Sequence, residues 1–260
     1  MNGALLDWYA QVRRPLPWRF TRDPYAILVS EVMLQQTQAA RVAPYYERWL
    51  ARFPDPAALA AAAPAEVLGL WSGLGYNRRA LALRAAAREI SHSGWPQPLT
   101  KLPGVGPYTA AAVASFAWDE QVAAVDTNLR RVIERRDGVR RGPAALAARA
   151  AELLPEGRAA EWNQAMMELG ATVCRPRRPD CGACPVRRGC SGPLPAPTAP
   201  RRRRERFETT DRWARGRIVA ALVAGEPLPQ LEPERRERAL AGLAHDGLVV
   251  RGGDGEPRLP

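Results

Sequence analysis

The chain has 260 residues, 46% of them apolar, which supports a real hydrophobic core in one large or two modest domains. A net charge of +11 and a pI near 10.4 point to a polyanionic partner such as a nucleic-acid backbone, although an Arg-rich solvated surface gives the same balance. No run approaches the roughly 20 apolar residues of a membrane-spanning helix and the start lacks a secretory hydrophobic region, so a cytoplasmic protein with no membrane partner is expected.

Residues 1–195 read as almost continuous helix with short connections, and no alternation of period two is long enough to build a sheet, so the fold class is all-α. Asp23-Pro24 is a cap followed by a first-turn proline, predicting a helix over YAILVSEVMLQQTQAARV (25–42). Glu31 sits in this helix within AILVSEVML, which is apolar almost all round. An ionised carboxylate is costly to bury there without a partner, whereas a buried carboxyl with a raised pKa is a good general acid. The plain alternative is a Glu on the narrow polar face beside Ser30. Further helices are predicted at about 40–52, 56–62, 64–72, 77–93, 107–118, 127–136, 143–154 and 159–173, punctuated by Pro and Gly.

In LTKLPGVGPYTAAAVASF, Gly104 and Gly106 stand just before a helix. Two glycines allow a tight turn with positive φ, and the free N–H groups of the next helix suit a phosphate. A plain helix–helix corner uses the same residues. Asp126 follows VAAV and precedes TNLRRVIER, where it reads as an N-cap.

All four cysteines fall within 17 residues, spaced Cys174-x6-Cys181-x2-Cys184-x5-Cys190. In a reducing compartment such a set favours metal over disulfides. Zinc ribbons present two separated Cys-x2-Cys knuckles, and here only one pair is close, which favours an iron–sulfur cluster over Zn²⁺. The loop RPRRPD between the first two ligands is strongly basic and offers Arg175, Arg177 and Arg178 to phosphates. SGPLPAPTAPRRRRER (191–206) reads as a Pro-rich then Arg-rich stretch, with the linker assigned to 193–206. Beyond it, 207–260 predicts one helix from about Asp211 to Ala224 and a second from about Glu234 to Asp246, closed by Gly247. A short hairpin, LVVRGGDGEPRL, follows, which together suggests a small winged-helix-like module.

LPGVGPYTA, the VDTN about 20 residues later and the cysteine spacing resemble the endonuclease III superfamily of helix-hairpin-helix DNA glycosylases. LPWR (16–19), SEVMLQQTQ (30–38), GLGY (73–76) and NQAMMELGA (163–171) are similar to its MutY-type adenine DNA glycosylases, over roughly residues 5–192. The resemblance implies a two-lobed fold, with 1–22 and 127–192 forming a lobe that bears one [4Fe-4S] cluster and 23–126 a six-helix barrel. It implies that Glu31 protonates the departing adenine, that Asp126 stabilises the sugar cation, and that Asn128 orients Asp126 or the water. Arg19 and Glu168 would line the pocket for an adenine flipped from the duplex. Gln35 and Gln36 would probe the gap and the opposite base, with Tyr76 as a wedge; their plain alternatives are surface helix residues and core packing. Tyr108 stands where strand-cutting relatives carry a Lys that forms a Schiff base. A phenol cannot do so, and Lys101, the sole lysine, precedes the turn.

The implied function is monofunctional base-excision repair of adenine opposite 8-oxoguanine or guanine in double-stranded DNA, by a monomer. Residues 207–260 are too short for the Nudix-like domain that many such proteins use to recognise 8-oxoguanine. Two alternatives stay open: a T/U:G mismatch glycosylase of the same superfamily, and a non-catalytic iron–sulfur DNA-binding protein. Glu31 within SEVMLQQT argues against the first, and Glu31 together with Asp126 against the second.

Overall fold

Capping chemistry sets the start of the helix predicted from Asp23-Pro24. The Asp23 carboxylate accepts from the backbone N–H groups of Tyr25 at 3.0 Å and Ala26 at 3.3 Å, and Pro24 occupies a first-turn position that needs no donor. In the computed structural model, which describes residues 2–195, 206–253 and 255–260, the helix nevertheless stops at Leu34. The single helix expected over 25–42 is thus two, separated by a turn in which Gln36 takes a left-handed φ of 60°. Arg79 supplies the reason. Its guanidinium donates to the carbonyls of Val32, Met33 and Gln35 at 2.8, 3.1 and 2.5 Å, satisfying acceptors that a continuing helix would have used itself.

The helices run, in chain order, α1 (Asn2–Val12), α2 (Pro24–Leu34), α3 (Ala39–Arg52), α4 (Pro56–Ala61), α5 (Pro64–Trp71), α6 (Arg78–Ser93), α7 (Pro107–Trp118), α8 (Thr127–Asp137), α9 (Pro143–Leu153), α10 (Ala159–Thr172), α11 (Asp211–Ala224) and α12 (Pro233–His245). The strands among the described residues are β1 (Val250–Arg251) and β2 (Pro257–Arg258), antiparallel with Val250 opposite Arg258. The described residues are all-α apart from this hairpin, and the two C-terminal helices lie where the sequence placed them. Most of the linker falls at 196–205, outside the described residues. No helix among the described residues is long and apolar enough to cross a membrane.

Two compact units emerge, one from Met1–Glu31 with Val105–Ala199, the other from Val32–Gly104 with Pro200–Pro260. The expected lobes divide at 22 and 126; these units divide at 31 and 104, so α7 joins the cysteine-bearing segment and the C-terminal module joins the second unit.

The first unit is built on one apolar cluster. Leu5, Leu6 and Tyr9 of α1 meet Leu129, Val132 and Ile133 of α8, Leu146 of α9, and Trp162, Met166 and Leu169 of α10; Cys174 and Cys184 pack against its edge. Buried Asn163 on α10 is fully used: it donates to Ser115 Oγ and the Val122 carbonyl, both at 2.9 Å, and accepts from the Ala124 N–H at 2.9 Å. That network ties α10 to the extended stretch leading into Asp126, so a buried polar group fixes the approach to α8 instead of costing stability.

In the second unit, Trp49 of α3 meets Phe53 and Trp71 edge-on at 5.1 and 5.4 Å. The module of α11, α12 and the hairpin has its own small core of Ala214, Ile218, Ala239, Leu243, Leu248 and Val249. It packs through α11 on α5, where Gly69 leaves room for Val223.

Candidate active site

Glu31 lies on α2 with 4% of its surface exposed, so the polar-face alternative is excluded. Its partner is Tyr108 in the first turn of α7, whose hydroxyl donates to Oε2 at 2.8 Å. Burial pushes the Glu31 carboxyl up to about 7; the Tyr108 hydrogen bond opposes the rise and the charge of Asp126 adds to it. The phenol itself is held well above its ordinary range by burial and by the two carboxylates. An acid that keeps its proton near neutrality therefore faces a donor that keeps its own.

Asp126 is the N-cap of α8 as expected, with Oδ1 accepting from the N–H groups of Asn128 at 2.8 Å and Leu129 at 2.7 Å. Asn128 Nδ2 donates to Oδ2 at 2.7 Å, so both carboxylate oxygens are fixed. Burial raises its pKa, and these bonds hold the rise down. Arg131 continues the chain of contacts, from Asn128 Oδ1 at 2.7 Å to the carbonyls of Gly170 at 2.6 Å and Cys174 at 2.7 Å.

Glu168 of α10 is fully buried, and two guanidinium groups meet it. Arg14 bonds Oε1 at 2.6 Å through Nε and Oε2 at 2.9 Å through Nη2; Arg19 bonds Oε2 at 2.5 Å. Burial favours the neutral acid, but these bonds outweigh it and hold the carboxyl below its usual range, so the group is an anion. Arg19 and Glu168 are thus brought together as the sequence implied. Arg14 was missed because nothing in QVRRP distinguishes it from the arginine beside it.

Glu31, Tyr108, Asp126, Asn128, Arg19, Glu168 and Gly106 belong to the first unit; Gln35, Gln36, Tyr76 and Gly104 belong to the second. Gln36 is exposed in the turn after α2, not on a helix surface. Tyr76 is 46% exposed, which excludes core packing, and has a left-handed φ of 50°. Arg79, which caps α2, also lies 5.5 Å from the Tyr76 ring centroid, so one half-buried cation joins the glutamine turn to the tyrosine. At the glycine turn, Gly104 has a φ of 76° and a Cβ there would lie 2.8 Å from that of Ala82. Gly106 differs from expectation: as the N-cap of α7 it is extended at φ −86°, a conformation open to any residue.

All four cysteines are half-buried free thiols. Among the described residues no three His, Cys, Asp or Glu side chains come close enough to hold a single metal ion. Burial raises the Cys184 thiol, and the charges of Cys174, Cys190 and Cys181 raise it further, so the four lie within electrostatic reach of one another. Arg135 Nη1 donates to Cys174 Sγ at 3.4 Å and to the Arg175 carbonyl at 2.8 Å, pinning the start of the loop.

Residues 29–156 match the HhH-GPD superfamily of base excision DNA repair proteins. An adenine DNA glycosylase of Mycolicibacterium smegmatis is 43% identical across 96% of this chain and 93% of its own length. The chain belongs to the adenine DNA glycosylase family of the HhH-GPD superfamily. A mouse adenine DNA glycosylase is 44% identical over 73% of this chain and 41% of its own. Among solved structures, a thermostable thymine-DNA glycosylase superposes with a TM-score of 0.68 at 33% identity, over 73% of this chain and 93% of that one. The likeness to the Mycolicibacterium protein covers nearly the whole chain, whereas that to the mouse protein covers about three quarters of it.

Proposed function

We propose that this family member excises adenine mispaired with 8-oxoguanine or guanine from double-stranded DNA, without cutting the strand. The observation that carries this reading is Glu31, a buried carboxyl pushed up to about 7 and bonded at 2.8 Å to a hydroxyl instead of a cation. Such a group can give a proton to a base nitrogen as the C1′–N9 bond breaks and its electron pair leaves with the base. Water then adds to C1′, and Glu31 can recover the proton that this water loses. The anchored Asp126 carboxylate faces the positive charge that develops on the sugar, and Asn128 keeps it in place. Glu168 can accept from the exocyclic amine of an extruded adenine, while Arg19 donates to a ring nitrogen. No amine stands beside Glu31, since Tyr108 fills that place, which favours release of the base alone.

The substrate duplex would be held by its phosphates. The N-terminus of α7 at Gly106 and the exposed Arg175, Arg177 and Arg178 supply the donors. Four half-buried free thiols gathered in one short segment with the Cys174-x6-Cys181-x2-Cys184-x5-Cys190 spacing suit a [4Fe-4S] cluster on Cys174, Cys181, Cys184 and Cys190. Bound there, the cluster would cross-link the basic loop as a scaffold, and no step of base release passes through it.

The test uses duplexes carrying A:8-oxoG, A:G, A:C and T:G, with and without hot alkali. Breakage of the adenine strand only after alkali is expected, and Glu31→Gln should abolish it. Scission without alkali would overturn the monofunctional reading, and release of thymine from T:G would transfer the activity to the mismatch alternative.

A further inference from the structure

Residues 207–260 carry eight arginines against nine acidic residues, so the chain's positive excess lies entirely ahead of them. The C-terminal module therefore adds no net positive charge for holding phosphates. It does place one guanidinium at an unusual spot. Arg212, in the first turn of α11, donates to the Tyr76 hydroxyl at 2.5 Å and lies 5.3 Å from the centroid of that ring. The same guanidinium lies 4.9 Å from the ring of Phe207. Both rings are exposed, Tyr76 by 46% and Phe207 by 48%, so an aromatic–arginine–aromatic ladder stands open to solvent.

The ladder is held from both ends. Tyr76 keeps a left-handed backbone that side chains rarely adopt, beside Arg79, which also bonds the preceding Gly75 carbonyl at 3.0 Å. On the module side, Arg235 donates to the carbonyls of Glu208 and Thr210 at 2.6 and 2.8 Å, fixing the turn that carries Phe207 into α11. Exposed apolar rings bridged by a cation contribute little to stability, and a strained residue persists only where its surroundings hold it. Flat π surfaces alternating with a planar cation are, in contrast, the surface on which unstacked bases pile.

We propose that Arg212 and Phe207 extend Tyr76 into a stacking ladder for the base opposite the extruded adenine. The C-terminal module would thereby determine mispair specificity. This rests on the reading of the chain as an adenine-extruding glycosylase.

The test measures binding of the full chain, by fluorescence anisotropy, to duplexes in which an uncleavable adenine analogue faces 8-oxoguanine, guanine or thymine. Arg212→Ala and Phe207→Ala should each weaken the 8-oxoguanine and guanine duplexes about tenfold while changing the thymine duplex less than about twofold. Arg212→Lys should lose most of the discrimination, because an ammonium offers no flat face, and Arg217→Ala, which removes the same charge elsewhere on α11, should bind as wild type. In a Tyr76→Ala background, Arg212→Ala should cost less than about twofold more. Equal losses on all three duplexes, as a structural or purely electrostatic role predicts, or no loss at all, would overturn the ladder. Binding is read without base release. If the wild type discriminates mispairs yet frees no adenine, the catalytic reading falls and the ladder stands; if it frees adenine and the variants discriminate normally, the ladder alone falls.

Discussion

Tyr108 donates its hydroxyl hydrogen to Glu31 across 2.8 Å, and this is the contact that restrains a carboxyl otherwise driven upward by burial. With Glu31 as the proposed acid, its proton is the reactive one, so single-turnover base release should fall as pH rises through about 7. The proposed role of Asp126 needs it ionised, and its raised pKa moves the acid limb upward. The profile is expected to be a bell. Tyr108→Phe removes a bond that favours the carboxylate, so its alkaline limb should shift upward; a downward shift would contradict the assignment.

The same group makes stability depend on pH with a definite sign. A carboxyl whose folded pKa lies above its unfolded value binds its proton more tightly when folded, so stability falls as pH rises between the two. For a rise from 4.5 to about 7 the loss is about 3 kcal/mol, complete only above neutrality. Glu31→Gln should therefore raise the Tm relative to wild type at pH 8.5 and change it little at pH 4.5. Thermal melts at the two values check this, and equal effects at both would contradict a buried, titrating Glu31.

Helices α7 and α8 were legible because each begins with its own chemistry, Pro107 after a glycine and Asp126 as a cap. The Glu31–Tyr108 contact was not, since the residues lie 77 apart and only packing decides that they meet. Arg79 shows the limit from the other side. In the sequence it is one arginine of a helix, yet it ends α2 and joins the Gln35 turn to Tyr76 through long-range bonds that no local pattern encodes. The cysteines were readable as a set because all four fall within one short segment.

Burial lowers the Arg79 pKa to about 10, but the group still titrates far above neutrality and stays charged. Its removal would leave the carbonyls of Val32, Met33 and Gln35 without their donor at once. Arg79→Ala should cost about 2–4 kcal/mol and loosen the turn at Gln36. Arg79→Lys recovers only part, because an ammonium cannot span the same fork. Denaturant melts give the cost, and faster amide exchange should be confined to the turn and the end of α2.

Gly170 of α10 lies against the start of α8, where a Cβ would fall 2.5 Å from the Asn128 Cβ and 3.0 Å from its Cα. Backbone, not a flexible side-chain end, blocks the space, so α8 must move if a methyl is added. Asn128 is the residue whose amide fixes Asp126 Oδ2, and a shift there breaks the 2.7 Å bond that orients the carboxylate. The substitution also displaces the Gly170 carbonyl, to which Arg131 donates at 2.6 Å. Gly170→Ala should therefore cost about 1–3 kcal/mol by overpacking, and its single-turnover rate should fall far more than its duplex affinity. A loss of stability with the normal rate of base release would show that Asp126 tolerates movement of its cap, and would remove Asn128 from the positioning role given to it.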